Sequence, residues 1–161
     1  MEKTEIGVIG FAFGVDCNII SNVYVGKTAT DKGVPIFTQK DLFIENPTST
    51  VDYIEEKEDP PPTLRIAREA VKWAMKLGIK ELWVAAARPH LWRCVRDLKY
   101  AIKEAGVQIQ VRVCDEIGMY PKKEWFCSNS TQKRTRSPKD WWPREIILRL
   151  MPMFIYKRIA G

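Results

Sequence analysis

Residues 5–13, Glu5-Ile6-Gly7-Val8-Ile9-Gly10-Phe11-Ala12-Phe13, are a near-continuous apolar run without alternation. A strand with one wet face alternates; one without alternation is buried on both faces, as in a parallel sheet covered by helices. Parallel neighbours need crossover helices, and the rest of the chain supplies them. Residues 17–30 read as a helix with Ile19, Ile20, Val23 and Val25 on its apolar side and Asp16 as N-cap. A second strand follows at 34–44, interrupted at Gln39-Lys40-Asp41. A loop over 45–62 ends in Pro60-Pro61-Pro62, which no helix or central strand accommodates.

Thr63–Leu77 is the clearest helix: Ile66, Ala67, Ala70, Val71, Trp73, Ala74 and Leu77 recur at helical spacing, and Gly78 suits its end. Lys80–Ala87 is a strand. Pro89 opens the next helix, which runs to Ala105. In 107–114, Val107, Ile109, Val111 and Val113 alternate with polar residues, which places this strand nearer an edge. A second loop spans 115–140. A final helix over 141–160 carries Ile146, Ile147, Leu150, Met151, Phe154 and Ile155 as its inward side and a kink or break at Pro152. The order βαβ–loop–αβαβ–loop–α defines an α/β fold: a three-layer α/β/α, doubly wound, mostly parallel sheet of about four to five strands. At 161 residues it is a single domain, 1–161, with the basic loop 121–140 and the terminal helix as a late extension.

Charge divides unevenly. The chain carries +6, yet residues 121–161 hold 10 basic and 3 acidic side chains, so the preceding body is near neutral. A uniformly basic nucleic-acid coat is therefore a poor description of this chain. No apolar run approaches the length of a membrane span, and the charged start Met1-Glu2-Lys3-Thr4-Glu5 is unlike a secretory signal, so a cytoplasmic location is expected. The four cysteines form no C-x-x-C pair and the single histidine has no partner at metal-ligand spacing; free thiols and no metal site are expected.

Ligands of doubly wound folds bind at the carboxyl ends of the strands, which selects three places. Gly10 and Gly14 bracket the first turn, where backbone amides can approach an anion beside Asp16, although the spacing matches no nucleotide fingerprint. The third strand ends in Arg88-Pro89-His90-Leu91-Trp92-Arg93, where two guanidinium groups and an imidazole meet a helix N-terminus, the chemistry of a phosphate or carboxylate site. His90 can also act as an acid or base. The plainer reading pairs Arg93 with Asp97 and leaves His90 packed. In the acidic loop, Glu55, Glu56 or Glu58 is a lesser candidate for a base or metal ligand. Separately, Lys133, Arg134 and Arg136 lead into Trp141 and Trp142. They suit a nucleic-acid strand or an anionic lipid surface, or else a surface loop whose tryptophans anchor the last helix.

The stretches Pro62-Thr63-Leu64-Arg65-Ile66-Ala67, His90-Leu91-Trp92-Arg93 and Arg144-Glu145-Ile146 through Tyr156 to Gly161 resemble, over about residues 60–161, a divergent ElyC/SanA/YdcF-like α/β domain. The resemblance implies a Rossmann-like domain with a cleft built partly from Thr63, His90 and Arg93. It also implies a link to cell-envelope biology and S-adenosylmethionine as a possible cofactor. The expectation that follows is a protein binding a small anionic ligand, whether nucleotide, phosphosugar or S-adenosylmethionine. Arg88, His90 and Arg93 would hold the anion, with Asp16 and Thr63 at the rim and His90 catalytic if phosphate-group transfer or hydrolysis occurs. The alternative is a non-catalytic module using residues 133–142. Catalysis and oligomeric state stay open.

Overall fold

The computed structural model describes residues 4–55 and 61–161. Five strands form one all-parallel sheet: β1 (Ile6–Phe11), β2 (Ile36–Thr38), β3 (Val51–Tyr53), β4 (Glu81–Ala86) and β5 (Gln110–Val113), in the order β3-β2-β1-β4-β5. The central pair is in register from Ile6 opposite Glu81 to Phe11 opposite Ala86. As expected for a strand without alternation, β1 is buried on both faces: Val8, Ile9 and Phe11 are wholly inaccessible. The strand with one wet face, β5, lies at the sheet edge.

Two apolar layers sandwich the sheet. Ile9, Phe11, Leu82, Val84 and Ala86 point to one face, where α2 (Thr63–Leu77) and α3 (Arg88–Ala105) pack. Val8, Ala85 and Ala87 point to the other, against α1 (Ile20–Asp31) and the segment carrying Ile117, Trp125 and Trp141. The architecture is a three-layer, Rossmann-like α/β fold. The helix α2 forms because Leu64, Ile66, Ala67, Ala70, Val71, Trp73 and Ala74 make one buried stripe. It stops because Gly78 takes a left-handed conformation, letting the Ile79 amide bond back to the Ala74 carbonyl.

Several boundaries differ from the sequence reading. The helix α1 starts at Ile20, and its N-cap position is Ile19 with no side-chain cap. Asp16 is not that cap; it sits exposed at φ 91° in the turn before the helix. The second strand shrinks to three residues, and Val51–Tyr53, read as loop, pairs with it as the outermost strand. The final helix is two helices, α4 (Pro138–Leu150) and α5 (Met153–Ala160), broken at Met151-Pro152 as the proline requires. Its expected inward side faces outward. Ile146, Ile147, Leu150, Phe154 and Ile155 are all exposed, while Trp141, Glu145, Leu148 and Tyr156 are buried. No helix among the described residues is long and apolar enough to cross a membrane.

Candidate functional site

From β1 the chain moves outward through β2 and β3, then returns to lay β4 on the other side of β1. The crevice beyond the carboxyl ends of β1 and β4 is therefore the switch point of the sheet, where such folds hold ligands. A cavity of about 260 Å³ lies there. Ala12, Phe13 and Gly14 line it from the end of β1, Pro62 and Thr63 from the start of α2, and His90 and Arg93 from the first turns of α3. Gln132, Arg134, Thr135, Trp141 and Arg144 close it from the late segment. The N-termini of α2 and α3 both open on it, which favours negative charge.

Thr63, His90 and Arg93 meet as expected. Arg93 Nη1 donates to Thr63 Oγ1 at 3.0 Å, and that oxygen lies 3.1 Å from His90 Nε2. All three side chains are buried. The Arg93 charge is already spoken for: its Nε donates to Glu145 Oε2 at 2.9 Å, and Glu145 also takes Arg149 Nε at 3.1 Å. Asp97 is not the partner of Arg93; it accepts from the Tyr156 hydroxyl and pairs with Arg96. Burial works against the guanidinium of Arg93, but Glu145 and then Tyr156 outweigh it and hold its pKa above the ordinary value.

His90 is packed between Phe11, Phe13 and Trp141, with ring centroids 6.3, 6.1 and 5.5 Å away. Burial first, then Arg93 and Arg149, push its pKa well below 6.5, so the imidazole is neutral at physiological pH. Its Nδ1 and the indole Nε1 of Trp141 are buried without a hydrogen-bond partner among the described residues. A pH effect follows with a definite sign. The unfolded chain takes up a proton near pH 6.5 that the folded chain refuses, so this part of the stability is intact above 6.5 and lost as pH falls below it. The expected slope approaches about 1.4 kcal/mol per pH unit. Urea titrations of wild type and His90→Gln at pH 7 and pH 5 check it; equal losses in both proteins would assign the acid sensitivity elsewhere.

In the glycine turn Gly14 lines the cavity. Three amides of the turn are already bonded: Ala12 N–H donates to Gln39 Oε1 at 3.1 Å, Phe13 N–H to Asn22 Oδ1 at 2.8 Å and Val15 N–H to Ser130 Oγ at 3.2 Å. Gly10 faces Thr38, whose hydroxyl donates to the Gly10 carbonyl at 2.9 Å; it allows β1 and β2 to approach and does not line the cavity. Asp16 and Arg88 are exposed and lie outside the lining of this cavity. Sequence reasoning missed Arg144 and the Gln132–Thr135 contribution to this site; the positive excess of the tail was the available signal.

The basic segment is a folded piece of the site. Thr135 N–H bonds to the Gln132 carbonyl, Arg136 Nε donates to the Ser130 carbonyl at 2.6 Å, and Ser137 caps α4. Lys133 and Arg136 stay exposed outside the cavity, whereas Arg134 lines it. Trp141 is 4% exposed and stacks edge-on against Phe13 at 4.7 Å, so it offers no platform for a base. Trp142 is half-buried beneath Arg149 at 5.2 Å. Of the acidic loop, Glu56 and Glu58 lie outside the described residues, and Glu55 is exposed away from the cavity. Cys94, Cys114 and Cys127 are buried unpaired thiols and Cys17 an exposed one. Burial pushes Cys94 well up and Cys114 to about 12, so neither is a thiolate near neutral pH.

Comparison with protein-family models, with curated proteins and with solved structures finds no match to this chain.

Proposed function

We propose that this protein binds a small phosphate-bearing molecule in the switch-point cleft. The carrying observation is the character of the lining: among the described residues it holds Arg93, Arg134, Arg144 and His90 and no carboxylate. Glu145 neutralises Arg93, so Arg134 and Arg144 supply the attraction; neither is ion-paired among the described residues. Arg93, Thr63 and His90 form the fixed floor.

Size and charge narrow the class. The cavity is just below the roughly 300–1,000 Å³ of sites for drug-sized molecules. That favours a phosphosugar or the phosphoribosyl part of a nucleotide. S-adenosylmethionine carries a sulfonium cation, which this set of arginines repels, so it fits less well. A role for His90 in phosphate-group transfer or hydrolysis rests on its place in the cavity lining and its contact with Thr63. The reading keeps the likeness to the ElyC/SanA/YdcF-like domains and the envelope-linked chemistry it implies, with a cleft built partly from Thr63, His90 and Arg93. The buried unpaired thiols suit a reducing compartment such as the cytoplasm.

Isothermal titration with inorganic phosphate, ribose 5-phosphate and adenosine monophosphate tests the reading. Arg134→Ala with Arg144→Ala is expected to weaken phosphate binding at least about 100-fold, since each charge-assisted contact contributes roughly 1.5–3 kcal/mol. Unchanged affinity in the double variant, or no heat from any phosphate in the wild type, would remove the cleft as an anion site.

A further inference from the structure

The two terminal helices turn an aliphatic surface outward, and its setting identifies what covers it. Leu148, Tyr156 and Ala160 pack with Leu64 in one cluster, so α4 and α5 bury their inner sides on the same part of the body. The opposite side of α4 carries Lys139, Ile146, Ile147 and Leu150, with Leu150 79% and Ile147 61% exposed. The opposite side of α5 carries Phe154, Ile155, Arg158 and Ile159, with Phe154 64% exposed. Six large hydrophobic residues thus face outward within the last 16 residues. A soluble monomer rarely leaves so many together unless they are used.

The charges around them select the occupant. Lys139 lies in line with the α4 stripe and Arg158 within the α5 stripe, and both are exposed, as are Arg144 and Lys157. From Ile146 to Gly161 there are three basic residues and no acidic one. The nearest exposed acid on these helices, Asp140, is held by the Ser137 hydroxyl at 2.6 Å. A second copy of this chain docking through a two-fold axis would set these cations against themselves. An anionic lipid surface meets both needs: acyl chains accept the aliphatic side chains, and headgroup charge accepts Lys139, Lys157 and Arg158. We infer that α4 and α5 form an in-plane docking surface for anionic lipid bilayers, with Ile147, Leu150 and Phe154 entering the interface. This rests on different residues from the cleft reading and stands or falls apart from it.

Co-sedimentation of the full chain with phosphatidylcholine vesicles, and with vesicles containing phosphatidylglycerol, tests it. The wild type is expected to bind the anionic vesicles in a salt-sensitive way and the neutral ones weakly. Two variants are expected to lose about tenfold or more in affinity: Ile147→Glu/Leu150→Glu/Phe154→Glu, and Lys157→Gln/Arg158→Gln. The replaced side chains are all exposed, so both should melt like wild type by circular dichroism. The charge pair keeps the test valid if the triple variant does not fold. Failure of the wild type to sediment with anionic vesicles would overturn the inference, as would equal binding to neutral ones. So would a dimer in solution, seen by light scattering, that the triple variant splits while vesicle binding is absent; that outcome assigns the surface to a second copy.

Discussion

Glu145→Ala is expected to cost about 3–5 kcal/mol, the scale for breaking one side of a buried ion pair. The reason lies less in the attraction lost than in what stays behind. Glu145 is 1% exposed and is the carboxylate on which both Arg93 and Arg149 converge. Without it, Arg93 keeps only the Thr63 and Tyr156 hydroxyls, at 3.0 and 3.4 Å, for a buried full charge. Neutral acceptors do not compensate a desolvated guanidinium. Glu145→Gln retains the shape but not the charge and should still lose most of the stability. Removing both charges together, as Arg93→Met/Glu145→Leu, should cost clearly less than the sum of the single changes, because the deeply buried guanidinium is then gone and Arg149, with its side chain 26% exposed, can turn to water. Urea unfolding of the wild type, Glu145→Ala, Glu145→Gln, Arg93→Met, Glu145→Leu and the double variant measures this. A loss under about 1 kcal/mol in Glu145→Ala would mean that water reaches Arg93, and the floor of the cleft would not be the rigid unit described.

That same ion pair marks where the sequence stops being informative. The layers and the parallel sheet are legible locally, because an unbroken apolar run such as Val8 to Phe11 suits only a strand covered on both sides. The place of His90 and Arg93 follows from the rule that ligands of doubly wound sheets bind beyond the strand ends, whereas Thr63 is pointed to only by the family resemblance. The partner of Arg93 lies 52 residues away and leaves no local trace. The terminal helices show the consequence. On α4 the buried stripe is Trp141, Glu145 and Leu148, at four- and three-residue steps, and it contains a charge. The outward stripe of Ile146, Ile147 and Leu150 is the more apolar one, so periodicity alone selects the wrong face for the core. The need of Arg93 for a carboxylate decides otherwise. The strand β3 escaped notice because three residues, two of them exposed, carry almost no pattern.

Gly14→Ala is expected to be the second most damaging change, and it should act on stability and ligand binding together. Gly14 has φ +92°, which side chains rarely adopt, and strain of this kind costs about 1–3 kcal/mol. An added Cβ would also stand 2.7 Å from both Ser130 Oγ and Thr135 Oγ1 and 2.9 Å from Ile19 Cδ1. Those two hydroxyls bond each other at 2.9 Å, and Ser130 Oγ receives the Val15 amide. Moving them disrupts bonds that contribute on the order of 1 kcal/mol each. The expected loss is therefore about 2–5 kcal/mol. The functional effect follows from connectivity. Ser130 and Thr135 bracket Arg134, so a segment pushed off Gly14 carries Arg134 away from the cavity it lines. Phosphate affinity should fall with stability, although Gly14 bears no charge. Gly118→Ala is the matched control: its Cβ would meet nothing within 4 Å, and its φ lies outside the strained region, so both readouts should stay near wild type. Thermal melts with phosphate titration on the two variants separate the cases. A Gly14→Ala protein that melts and binds like wild type would show that the segment adjusts freely, and the glycine turn would then have no part in holding the cleft together.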